Sequence, residues 1–270
     1  MTQAVVVAGV GMISFRKPGA SASYIEMGAQ AARLALDDAG IGYDLVQQAY
    51  VGYVYGDSTS GQSALYEVGL SGIPIVNVNN NCSTGSTALF LARQAVQSGA
   101  VDCALALGFE QMQPGALGNM YNDRPAAMGN CFGVADILAH DVPDMPMAIR
   151  MFGGAGREHM QKYGTQLETF AAIRAKASRH AANNPLALFR KEVTADDVMN
   201  DVQIWPDVMT RLRQWAFEGG KPVPHNEYYL RANPSFEVSK GKHDWLTRHV
   251  FVGVGERLPD GNRVRYYALV

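Results

Sequence analysis

The chain has 270 residues, 47% of them hydrophobic, and a formal net charge of −2, so it can bury a substantial core and carries no charge bias suited to nucleic acid. Three cysteines, Cys82, Cys103 and Cys131, are too few and too widely spaced for a disulfide framework, and their spacing fits no zinc or other metal pattern. A reducing, cytoplasmic setting follows. No membrane span is expected, because no run approaches the roughly 20 apolar residues that a bilayer crossing needs.

The β-branched run from Ala4 to Val10 is expected to form a central strand rather than a signal peptide, since no basic segment precedes it. From Ser21 to Gly40 the apolar positions Ile25, Met27, Ala31, Leu34 and Leu36 fit a helix closed by Gly40. Further strand–helix units fall at Gln47–Val54 with Gly61–Gly69, and at Ile73–Val78 with Cys82–Gly99, followed by a strand at Val101–Leu107. This alternation predicts an α/β fold, a parallel-rich sheet covered by helices on both faces.

Past Gly108 the alternation stops. Gln111 to Asp144 is rich in Gly, Pro, Asn and Met without a period, which marks a functional excursion from the sheet. Helical patterning returns at Pro146–Tyr163, Leu167–Asn183 and Thr194–Met199. After about Val202 the pattern changes to short strands, at Tyr228–Ala232, His249–Val254 and Arg263–Val270, with Pro259-Asp260-Gly261-Asn262 as a turn signal. The expected domains are residues 1–202, with a loop excursion over 111–190, and a β-rich tail over 203–270.

The stretch Val76-Asn77-Val78-Asn79-Asn80-Asn81-Cys82-Ser83-Thr84-Gly85-Ser86-Thr87 places one cysteine where a buried strand turns into a helix with a small, polar first turn. Unpaired backbone N–H groups and the positive end of the helix dipole favour thiolate over thiol there. Thiolate is the nucleophilic form. Gly85, Ser83 and Ser86 leave room for a bulky acyl chain beside the sulfur.

These residues resemble the nucleophile segment of the thiolase superfamily, and the triple asparagine resembles the form found in sterol carrier protein x thiolases and bacterial lipid-transfer relatives. Val51-Gly52-Tyr53-Val54-Tyr55-Gly56-Asp57 through Gln62 is similar to that family's second strand and following loop, and Leu105 through Met112 to its next strand. Met151-Phe152-Gly153-Gly154-Ala155-Gly156-Arg157-Glu158-His159-Met160 resembles a helix of the loop domain over its active site. The resemblance covers about residues 4–200. It implies an incomplete thiolase-like half in which Cys82 takes the acyl group from an acyl-CoA or 3-oxoacyl-CoA, with coenzyme A as substrate and no bound cofactor. It also implies a homodimer or a partner subunit.

The family's second half should add a histidine within Gly-His-Pro and a second cysteine, and none of His140, His159, His180, His225, His243 and His249 lies between Gly and Pro. Turnover is therefore expected to be impaired. The alternatives are a non-catalytic acyl-CoA or lipid-binding module and a thiolase-like aldolase subunit that needs a partner.

Arg150, Arg157 and Lys162 could meet CoA phosphates or simply form a solvated helix face. His159 and His180 read as solvated or core-edge histidines on amphipathic helices. Gly9-Val10-Gly11 hints at a dinucleotide loop, but Ser14 stands where the third glycine should be and the next helix starts too late to receive a pyrophosphate. In the tail, His225 to Arg231, Pro234 to Glu237, Asp244 to Arg248 and Val252 to Gly255 resemble the closing strands of a small, uncharacterised bacterial β-barrel family.

Overall fold

The computed structural model describes residues 5–112, 121–127, 129, 133–134, 147–210, 255–257 and 263–265. The chain divides into two units, Met1–Ala116 with Leu230–Val270, and Leu117–Tyr229.

In the first unit, α1 spans Tyr24–Ala39. Ser23 and Glu26 close a reciprocal capping box at its start, and Gly40, at φ 68°, ends it in the left-handed conformation that glycine enters without a Cβ penalty. Strand β1 (Gln48–Gly52), helix α2 (Ser60–Tyr66), strand β2 (Ile75–Val78), helix α3 (Thr84–Gln97) and strand β3 (Ala104–Gly108) follow. All three strands are parallel, in the order β2-β1-β3.

The two faces of the sheet have different textures. Ala49 and Val51 of β1 and Leu105 and Leu107 of β3 join Leu65, Leu36 and Val46 in one cluster on the side of α1 and α2. Tyr50, Ala104 and Ala106 face the other way, onto Ala88, Ala92, Ala95 and Val96 of α3. Side-chain alternation along each strand makes this partition.

The strand expected over Ala4–Val10 does not form a ladder. Over residues 5–12, only Val5 and Met12 make isolated bridges. The Val10 N–H donates to Asp38 Oδ2 at 2.8 Å instead of to a neighbouring strand. Gly11 rests against the backbone of α1, where a Cβ would collide with Ala31 O and Ala35 N. The glycines read as a weak dinucleotide signal therefore include one required for segment–helix packing.

In the second unit, α4 (Met147–Tyr163), α5 (Leu167–Ala182) and α6 (Ala195–Met199) precede an antiparallel hairpin, β4 (Gln203–Trp205) and β5 (Met209–Thr210). Trp205, Val208 and Met209 are buried with Ile149 and Phe170. Gly153 gives the indole its seat, since a Cβ there would fall 2.7 Å from two ring carbons. Thr210 Oγ1 donates to Val198 O at 2.7 Å, tying the hairpin to α6.

Strands β6 (Gly255–Arg257) and β7 (Arg263–Arg265) pair antiparallel, and the turn signal at 259–262 lies outside the described residues. The expected strands at Tyr228–Ala232 and His249–Val254, the residue Cys131 and most of the 111–144 excursion lie outside the described residues. Among the described residues, no helix is long and apolar enough to cross a membrane.

Two substitutions test this packing. Gly11→Ala should lower stability by about 1–3 kcal/mol, because a methyl group is forced into backbone. Trp205→Ala should cost about 3–5 kcal/mol by leaving a cavity under α4. Urea unfolding of each variant measures both; a change below about 0.5 kcal/mol, the size of an ordinary surface substitution, would contradict the packing described.

Candidate active site

In open parallel sheets, ligands bind beyond the carboxyl ends of the strands. Here those ends are Gly52, Val78 and Gly108, and the segment leaving β2 carries Cys82 four residues after Val78.

Each of the three asparagines has its own work. Asn81 takes φ 50°, a left-handed conformation that asparagine tolerates better than most residues, and this turns the chain sharply before Cys82. Asn79 Oδ1 accepts from the Asn81 N–H at 3.3 Å. The Asn80 N–H donates to Thr84 Oγ1 at 2.9 Å, and Asn80 Nδ2 donates to Thr87 Oγ1 at 3.1 Å. The turn is thereby tied to the first turn of α3. Thr84 is buried, and Gly52 makes room for it, since a Cβ on Gly52 would meet the Thr84 backbone at 2.8 Å.

Ser83 occupies the N-cap of α3 but makes no capping bond; its hydroxyl donates to Asn80 O at 2.8 Å. Ser83 thus gives the first turn of α3 no side-chain acceptor, and there the Thr84 N–H donates to Asn81 O at 3.0 Å and the Thr87 N–H to Ser83 O at 2.9 Å. Cys82 is exposed, and its Sγ lies 3.9 Å from Asn81 Oδ1, whereas Cys103 is buried in the α1-side cluster. Cys103 immediately precedes β3, and its N–H donates to Gln47 Oε1.

A second set of polar groups braces the strand ends around this turn. Asn77 on β2 accepts from the Gly61 N–H at 2.9 Å and donates to Gln62 Oε1 at 2.7 Å, which joins the start of α2 to β2. Just past β3, Glu110 accepts from the N–H groups of Val54 and Tyr55 at 2.9 and 3.0 Å, one on each carboxylate oxygen. Burial pushes the Glu110 carboxyl above the ordinary glutamate range, outweighing the two amides that pull it down. Gln111 accepts from the Tyr24 N–H at the start of α1. Phe109 stacks on Tyr53 and Tyr24, with ring centroids 5.2 Å away in each case.

The cations proposed for CoA phosphates, Arg150, Arg157 and Lys162, all lie on α4 of the second unit, while Cys82 belongs to the first. Arg157 stacks over the Trp205 ring at 5.1 Å, and Lys162 lies over Tyr163 at 5.4 Å. His159 packs on the Tyr163 ring. No histidine precedes residue 140, so the sheet strands and the Cys82 turn bring no imidazole of their own. Among the described residues, no cluster of three or more His, Cys, Asp or Glu could hold a metal ion.

The N-terminal domain family of the thiolases matches residues 5–210. This chain belongs to the thiolase family. A family described as a protein of unknown function, DUF3237, matches the tail over residues 202–270. Among thiolase relatives, rabbit (Oryctolagus cuniculus) sterol carrier protein 2 is 50% identical over 212 residues, covering 77% of this chain and 38% of that protein. The Caenorhabditis elegans non-specific lipid-transfer protein-like 2 is 43% identical over 241 residues, covering 87% of this chain and 58% of the relative. The chain thus spans well under two thirds of the length of these relatives. The solved Ltp2-ChsH2(DUF35) aldolase shares the fold, with a TM-score of 0.58 at 20% identity, over 78% of this chain and 52% of that one.

The thiolase motif around Cys82 was legible in sequence, but the groups that brace it were not. Asn77, a polar residue inside an apolar strand, and Glu110, two residues after the buried Ala104–Gly108 run, carried the only available signal: a polar side chain where the pattern is apolar. Cys82 is exposed among small neighbours, whereas Cys103 is buried. Limited iodoacetamide treatment followed by peptide mass spectrometry should modify Cys82 well before Cys103, and the reverse order would remove Cys82 from the site.

Proposed function

We propose that this thiolase-family chain is an acyl-CoA C-acyltransferase module of lipid or sterol side-chain metabolism that carries its acyl group on Cys82. The observation that carries the reading is the exposed thiol on a hydrogen-bonded turn at the carboxyl end of β2, two residues before α3, whose N-cap Ser83 makes no capping bond. The Cys82 thiolate attacks the 3-keto carbonyl of a 3-oxoacyl-CoA. The tetrahedral alkoxide collapses with cleavage of the C2–C3 bond, which leaves a thioester on Cys82 and an acetyl-CoA enolate that takes up a proton. The thiol of a second CoA then attacks the enzyme thioester, loses its proton and regenerates the Cys82 thiolate as the shortened acyl-CoA departs. Backbone N–H groups near Cys82 suit the developing oxyanion.

CoA is thus a substrate, and a reducing, cytoplasmic compartment keeps the thiol available. General acid–base assistance is typically worth about 10²–10⁴ in rate. Without the family's Gly-His-Pro histidine and second cysteine, acylation of Cys82 by thioester exchange with an acyl-CoA outpaces thiolytic carbon–carbon cleavage of a 3-oxoacyl-CoA, and a second subunit, either another copy or a different chain, supplies what full turnover requires. A second reading is lipid binding or transfer without turnover, supported by the name of the C. elegans relative. A thiolase-like aldolase subunit completed by a partner is the third.

The test is incubation with acetyl-CoA or a 3-oxoacyl-CoA, followed by intact-protein mass spectrometry. An acyl adduct is expected on the wild type and none on Cys82→Ala, with slow thiolysis in steady state. Absence of any adduct would leave the lipid-transfer reading in its place.

A further inference from the structure

Glu110 is a charged group that the acyl-transfer steps do not use, and the fold gains little from its charge. Its two carboxylate oxygens meet only the neutral N–H groups of Val54 and Tyr55, while burial disfavours its ionised form more than those bonds favour it. A half-buried carboxylate in this position costs stability, so its value lies in what it holds.

What it holds is the loop leaving β1. That loop continues the strand end already fixed on both sides, by Phe109 N–H donating to Gly52 O at 3.2 Å and Tyr53 N–H donating to Val78 O at 3.3 Å. Val78 is the last residue of β2 before the Asn79–Cys82 turn. Within the loop, the Tyr53 hydroxyl donates to Asp57 O and accepts from the Ser60 N–H, and the next amide, Gly61, donates to Asn77 on β2. The chain from Glu110 to the thiol therefore runs through two anchored strand ends and one buried threonine, Thr84, seated against Gly52.

We infer that Glu110 is a positioning residue for the Cys82 site: by gripping two consecutive amides with one oxygen each, it fixes the β1–α2 loop that braces the nucleophile turn. A carboxylate is required because it accepts on both oxygens, whereas a carboxamide turns a donor toward one of the two amides. Charge-assisted bonds of this kind are the strong ones. This inference rests on the acyl-transfer reading, with Cys82 as the acylated group.

The experiment compares wild type with Glu110→Gln for Cys82 acylation by acetyl-CoA, together with hydrogen exchange across Ala49–Gly61. The expected result is a maximal acylation rate about ten- to a hundredfold lower, the scale of a lost hydrogen bond to a charged group. The half-saturating acetyl-CoA concentration should stay within about twofold, because loop position governs the thiol rather than CoA contacts. Val54 and Tyr55 amides should exchange faster while Ala49–Gly52 keep their protection. Glu110→Asp, which keeps the charge one methylene short, replaces Glu110→Gln if that variant does not fold.

An unchanged maximal rate, or a rate loss accompanied by uniformly faster exchange throughout the first unit, overturns the inference. If the wild type is not acylated at all, the acyl-transfer reading falls, and the loop clamp is judged by the Val54 and Tyr55 amides alone: unchanged exchange in the variant overturns it.

Discussion

The central strand β1 is hydrogen-bonded on both sides and buried on both faces, and this constraint sets the position of the candidate site. Five registered residue pairs join it to β3 and four to β2, so neither neighbour can slide without breaking a ladder. A one-residue slip would also turn Ala49 and Val51 toward α3 and Tyr50 toward α1, so that each face would lose the side chains packed against it. With β1 fixed, Gly52, Val78 and Gly108 end together at one edge, and the three segments leaving them form a shared surface.

On that edge the thiol is presented by polar rather than apolar packing. The Asn79–Ser83 turn is exposed, so its shape is held by side-chain hydrogen bonds from Asn79 and Asn80 and by the left-handed Asn81. The buried anchor is Thr84, which enters the protein through the gap left by Gly52. A thiol exposed on a hydrogen-bonded turn is open to solvent without any opening of the core. Residues such as Asn77 and Glu110 then act at one remove, by keeping the surrounding strand ends and loops where the turn needs them.

The second unit follows a different logic. Its helices are organised around aromatic packing, with Trp205 from the β4–β5 hairpin seated on Gly153 and stacked by Arg157. The cation that the sequence offered as a phosphate ligand is thereby engaged with an indole face, an interaction that arginine favours because its planar guanidinium stacks readily.

By itself the sequence determined the alternation of strands and helices, the parallel sheet, the glycine end of α1, and the likeness of the segment around Cys82 to the thiolases. Those are local properties: apolar period, capping residues and a short motif are all read within about 20 residues. The tertiary structure decided that the segment over Ala4–Val10 packs without a ladder, because Asp38, distant in sequence, takes the Val10 amide and α1 takes Gly11. It also decided which polar residues brace Cys82. Glu110 meets Val54 and Tyr55 across more than fifty residues, and Asn77 meets Gly61 across sixteen, distances over which sequence pattern carries no register. Such pairings exist only once β1, β2 and β3 have come together, because the sheet is what brings their carboxyl ends within hydrogen-bond reach.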